Sequence, residues 1–169
     1  DKLCEFPYEN NNVNTTPQKV TIKLAPPSDL IPKNLVFDPG NGLKTGQSFR
    51  ASAIISNEGT GVTSANNWRD QWYLISSDHQ DTMTLNTHLR QNKLTANSNY
   101  SLNEALRIPV EAEDGQHYLA LGADVKDKVY EHQAENNNFL KSQNFQVTRD
   151  PNAASDLAVE KFQVTSAIN

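Results

Sequence analysis

One phrase occurs twice in this 169-residue chain, and its spacing sets the size of the folding unit. Asp1, Lys2, Glu5, Glu9, Asn10, Asn11 and Asn12 recur as Asp127, Lys128, Glu131, Glu135, Asn136, Asn137 and Asn138, always 126 positions on. A second pair, PPSDL ending at Leu30 and AASDL ending at Leu157, lies 127 positions apart. A near-constant offset across separated motifs is the mark of tandem repetition. Solenoid units run to about 20–50 residues, whereas this period matches a whole small domain of about 100–150. The spacing predicts three parts: residues 1–25 as the end of one unit, 26–152 as a complete unit, and 153–169 as the first strand of a third.

Between the two phrases the chain reads as strands. Phe49, Ala51, Ala53 and Ile55 alternate with Ser48, Arg50, Ser52 and Ser56, the period of a strand with one buried face. NEGTG ends that run as a turn. WRDQWYLISSD follows, rich in aromatic and β-branched residues. TLNTHLRQ is a more polar candidate. NYSLNEALRIPV alternates as far as Pro109, which marks an end or an edge. Asp114-Gly115 is a tight-turn pair feeding QHYLALGADV. NFLKSQNFQVT resumes alternation at Phe145 and Val147, and LIPKNLVF precedes all of these. About seven strands without a convincing amphipathic helix predict an all-β sandwich. An Ala-rich stretch after Pro151 is the helical rival, and its proline-rich counterpart PPSDLIPKNLVF argues against it. Val20, Ile22 and Leu24 at one end, and Leu157, Val159, Phe162 and Val164 at the other, read as orphan strands. They are expected to be disordered or to pair with each other, within one chain or as a strand-exchange dimer.

Charge and composition narrow the function. A net charge of −5 speaks against binding a phosphate backbone, which wants a basic face. No stretch approaches the roughly 18 apolar residues that insert into a membrane. Cys4 stands alone, so no internal disulfide forms; it is expected to occupy the apolar position that Tyr130 holds in the other copy. His79, His88, His117 and His132 lack metal-ligand spacing. No nucleophile elbow or phosphate loop appears. No catalytic residues are assigned, and an enzyme is not expected.

The Glu-Asn-Asn-Asn cluster sits on the connection to the last strands. Asn tolerates left-handed backbone angles, and Glu accepts a loop's free N–H groups, so the cluster reads first as a loop builder. Its carboxylate and amide oxygens are also hard ligands of the kind Ca²⁺ takes. The candidate set is Asp124, Glu131, Glu135 and Asn137, with Asp127 nearby and Asp70 approaching across the sandwich. No EF-hand spacing accompanies it. Trp68 and Trp72 share a strand face with Asp70 and Leu74, while Tyr73 and Ile75 take the other. Buried aromatics serve the core; an outward one stacks on a sugar ring beside Asp70. Trp68 and Trp72 are the binding candidates.

The combined order of motifs resembles the CARDB domain family, named for cell-adhesion-related domains found in bacteria. The likeness spans roughly residues 28–148: the opening SDL, the strand TGQSFRASAIISN, Asn57, Gly59 and Gly61, then Trp68, Asp70, Tyr73 and Leu74, and the closing Asp124, Glu131 and Glu135 to Asn138. One departure is YLISSD, where an extra residue and the polar stretch from His79 to Asn92 imply a longer loop or an added edge strand. The resemblance implies an immunoglobulin-like β-sandwich strung in tandem on secreted or surface-attached proteins. Its partners would be adjacent repeats. The expected role is a non-catalytic stalk or adhesion repeat, stiffened by Ca²⁺; the alternative is a module binding a surface carbohydrate or protein.

Overall fold

Alternating burial organises the chain as soon as the linker ends. A computed structural model describes residues 17–78 and 80–153. Among them nine strands form: β1 (Leu30–Phe37), β2 (Leu43–Lys44), β3 (Ser48–Asn57), β4 (Asn67–Ser76), β5 (Thr82–Gln91), β6 (Asn99–Arg107), β7 (Gly115–Gly122), β8 (Phe139–Lys141) and β9 (Phe145–Thr148). One 3₁₀ turn covers Glu135–Asn137. The protein is an all-β, immunoglobulin-like sandwich. One sheet runs β1-β3-β6, the other β2-β9-β7-β4-β5, with β8 attached to β7.

The predicted faces turn inward. Phe49, Ala51, Ala53 and Ile55 of β3 meet Trp68, Trp72 and Leu74 of β4 and Leu119 and Leu121 of β7 in one core. β7 is buried from His117 to Gly122 because it lies inside its sheet and is covered on both faces. Ile75, Tyr118 and Ala120 make a smaller cluster on the opposite face of that sheet.

Local features refine the simple reading, one of them the added edge strand expected from the polar stretch. The final candidate NFLKSQNFQVT divides into β8 and β9, and the two-residue β2, too short to alternate, pairs parallel with β9. The polar TLNTHLRQ is a full edge strand, β5. Its register with β4 slips between Trp72 and Tyr73, leaving Leu85 unopposed. A bulge of this kind bends the edge and suits an added strand. β1 slips too, between Lys33 and Val36, at a left-handed Asn34.

The two ends of the body face opposite ways. Residues 26–28 lie against the turn after β3, where a Cβ on Gly61 would fall 1.8 Å from Pro26 O and one on Gly59 2.5 Å from Pro27 O. Only glycine lets the linker approach so closely. Asn57, wholly buried, holds the junction: its Nδ2 donates to Gly61 O and Leu94 O, and its Oδ1 accepts from Asp29 N and Gly59 N. Past β9 the chain returns to the turn before β3, where Ala153 meets Gly46.

Val20, Ile22 and Leu24 carry no strand and are 76%, 90% and 62% exposed. Their expected partners, Leu157 to Val164, lie outside the described residues, as do Cys4, His79 and the first copy of the repeated phrase. Tyr130, the counterpart of Cys4 in the described copy, is half exposed rather than an apolar filler.

Candidate functional site

The loop from Ala123 to Asn138 is built by carboxylates that accept backbone N–H groups. Trp68 Nε1 donates to Tyr100 Oη at 3.1 Å, and Tyr100 Oη donates to Asp70 Oδ2 at 2.5 Å. Asp70 Oδ1 accepts Asp124 N–H at 3.1 Å, and Asp124 Oδ2 accepts Val129 N–H at 2.6 Å. This relay crosses from β6 in one sheet to β4 in the other and ends in the loop. A buried carboxylate is tolerable only with partners of this kind. Burial pushes the Asp70 carboxyl above its ordinary range, opposed by the Tyr100 hydroxyl; burial and the Asp70 charge push that hydroxyl up in turn.

Glu131 performs the second fastening. It is 1% exposed; Oε1 accepts Leu30 N–H at 2.7 Å and Oε2 accepts Asn138 Nδ2 at 2.7 Å. Ser28 Oγ donates to Tyr130 O at 3.1 Å, and Asn137 Nδ2 to Asp29 Oδ1 at 2.9 Å. Glu135 Oε1 accepts Glu131 N–H at 3.1 Å. The two phrases that recur in the sequence therefore meet in space: Ser28-Asp29-Leu30 is clasped by Tyr130, Glu131 and Asn137. Burial pushes the Glu131 carboxyl up to about 7.

The expected metal set divides on this geometry. Asp70 and Glu131 are brought to the loop, but both oxygens of each are committed to hydrogen bonds. In this structure they hold the fold. Asp124, Glu135 and Asn137 complete the expected set. Asp124 Oδ1, Asn137 Oδ1 and Asn138 Oδ1 are buried without a hydrogen-bond partner. Among the described residues no three His, Cys, Asp or Glu side chains converge as a metal-holding group. Burial and then the Val129 and Lys128 backbone contacts act in opposite directions on Asp124, and its carboxyl is raised on balance. Burial, with Asp127 and Asp124 adding repulsion, also raises Glu135. The left-handed residues of the loop are Asp124, Asp127 and His132, while the three asparagines make the 3₁₀ turn and its close.

The binding candidates Trp68 and Trp72 are both 0% exposed, so neither indole has a face to offer a ligand. Even positions of β4 point to the core because Leu74 and Asp70 do. The outward aromatic is Tyr73, paired with the half-exposed Phe139 of β8 at 6.3 Å between centroids. Phe139 had no signal of its own, since it follows the third asparagine in a segment read only as the start of a strand.

This fold with this clasp defines an immunoglobulin-like module in which buried carboxylates tie the closing loop to the sheets. The CARDB family profile matches residues 27–142, and the chain belongs to that family, one of non-enzymatic, adhesion-related modules. Its fold is similar to the CARDB domain of the PF1109 protein from Pyrococcus furiosus, solved in complex with di-metal ions. The TM-score is 0.52 and the identity 13%, over 79% of this chain and 100% of that one. The solution structure of the same Pyrococcus furiosus domain gives a TM-score of 0.51 at 13% identity, over 75% and 100%. β-Glucosidase 3B from Thermotoga neapolitana aligns at a TM-score of 0.46 and 14% identity, over 70% of this chain and 16% of that one. No curated protein matches the sequence.

Proposed function

We propose that this domain is a repeating spacer in a stalk or adhesion protein displayed outside the cell, with residues 1–25, 26–152 and 153–169 belonging to three successive units. The carrying observation is the clasp. The two phrases present in duplicate are the two that touch, through Leu30 N–H on Glu131 and Ser28 Oγ on Tyr130 O. Sequence copied at both ends is then the half of a clasp belonging to each neighbouring unit. A linker pinned by Gly59 and Gly61, entering at one pole while the chain leaves at the other, suits serial units on one axis. Solution scattering from a chain extended by one unit on each side tests this. A rod lengthening by roughly 35 Å per unit, the span of a ten-residue strand, is expected. A particle that stays compact as units are added sinks the reading.

Calcium stiffening is the finer part of the proposal. Asp124 Oδ1, Asn137 Oδ1 and Asn138 Oδ1 are hard oxygens, buried and unpartnered, and an oxygen-seeking cation suits them. Asp124 and Asn138 would be its holders, with Glu135 and Asp127 beside them. The bound ion would neutralise the acidic loop and tie it down. Thermal unfolding in chelator and in millimolar Ca²⁺ is expected to differ by several degrees, through preferential binding to the folded state; superimposable curves remove the ion from the account.

A further inference from the structure

A cleft of about 400 Å³ opens on the outer face of the larger sheet. Its lining combines Tyr73 and Ile75 of β4 and Phe139 of β8 with Asp124, Glu135 and Asn138 of the loop. The two rings lie 6.3 Å apart and are tilted by 39°, so they make an open platform rather than a closed cage. Gly122 lies close beneath the rings and Val125: a Cβ there would sit 2.9 Å from Val125 Cγ1, 3.5 Å from Tyr73 Cε2 and 3.7 Å from Phe139 Cδ2.

The polar lining is rich in acceptors. Asp124 is 4% exposed, lines the cleft, and has a carboxylate oxygen with no partner. Asn138 Oδ1 is likewise unpartnered, while its Nδ2 is committed to Glu131. A matching ligand brings several donors and a flat apolar face. It carries no negative charge, because Asp124, Asp127 and Glu135 surround the site. A neutral sugar ring has this pattern: hydroxyls donate from its edge, and its C–H face lies on an aromatic ring.

We propose that this cleft binds a neutral pyranose, stacked on Tyr73 and Phe139 with its hydroxyls donating to Asp124 and Asn138. The proposal goes beyond the spacer role and does not depend on the calcium reading. A hydroxyl proton satisfies the orphaned Asp124 oxygen when no ion is bound; with an ion present, the sugar and the ion share that oxygen.

The test is a titration of the isotope-labelled full chain, followed by amide NMR, with methyl glucoside, methyl galactoside and methyl mannoside in turn. Butylammonium and calcium chloride alone are the controls, and each titration is run in chelator and in calcium. At least one sugar is expected to shift the signals of Tyr73, Gly122, Asp124 and Phe139 together. Phe139→Ala, at a half-exposed position, should weaken that binding about tenfold with an unchanged melting curve. Asp124→Asn, which keeps an oxygen for Val129 N–H, should weaken it by a similar factor. Binding seen only with calcium supports the proposal and makes the ion part of the site. Sugars that leave the cleft signals unmoved overturn it, as do shifts produced by butylammonium alone or binding that survives both substitutions. Loss of the calcium effect on melting bears only on the stiffening proposal.

Discussion

Glu131 offers the sharpest quantitative handle on the clasp. Its carboxyl is ordinarily near 4.5, and burial pushes it up to about 7 in the folded protein. The folded state therefore holds this proton more tightly than the unfolded chain does. The resulting stability is present at acid pH and is lost as the pH rises through about 7. Between about pH 5.5 and about pH 8 the difference amounts to about 2 kcal/mol, at about 1.36 kcal/mol for each pH interval over which only the folded form is protonated. For a domain of this size that corresponds to about 7 °C in melting temperature, with the acid side more stable. Asp70, Asp124 and Glu135 are raised as well and add slope of the same sign. Glu131→Gln isolates the one group. It keeps an acceptor for Leu30 N–H, and Asn138 can turn its amide to present the Oδ1 that now lacks a partner. Calorimetry of both proteins across this range, in chelator, should show the variant's pH dependence reduced by about 2 kcal/mol. A variant with the wild-type slope, or a wild type that gains stability toward alkaline pH, refutes the reasoning.

Other expectations follow from the same contacts. Tyr100→Phe leaves Asp70 Oδ2 and Trp68 Nε1 without their shared partner and should cost about 2 kcal/mol in denaturant unfolding. Gly61→Ala drives a Cβ into Pro26 O; hydrogen exchange at the Gly61 amide, bonded to Pro27 O at 2.9 Å, should accelerate as the linker lifts away. Both tryptophans should emit at short wavelength and resist iodide quenching, because neither has exposed surface. The bare alternation of Val20, Ile22 and Leu24 should produce concentration-dependent dimers in sedimentation, abolished by Ile22→Asp.

Much of the sandwich was readable because one-sided burial writes itself as alternation. β3 and β4 show it, since each has one face on the core. β2 escaped because two residues have no period, and the break between β8 and β9 escaped because Phe139 and Phe145 look like one alternating run. At the loop, Asp70 and Glu131 were correctly drawn to the cluster. Their structural role was not legible, because no pattern reveals that the N–H groups of Asp124 and Leu30 will bond to their oxygens. Parity along β4 put Tyr73 opposite the tryptophans, but which face was inward depended on a second sheet. The recurrence of SDL was the signal for the clasp; only coordinates join it to Glu131.

The entry of the linker at one pole of the sandwich and the exit past β9 at the other have a mechanical consequence. Tension applied through the backbone runs along the strands and loads their ladders in shear, where many hydrogen bonds must fail together. The first bonds to feel that pull at the leading pole are those from Ser28 and Leu30 to the far loop. A unit of this design should yield there before its sheets part.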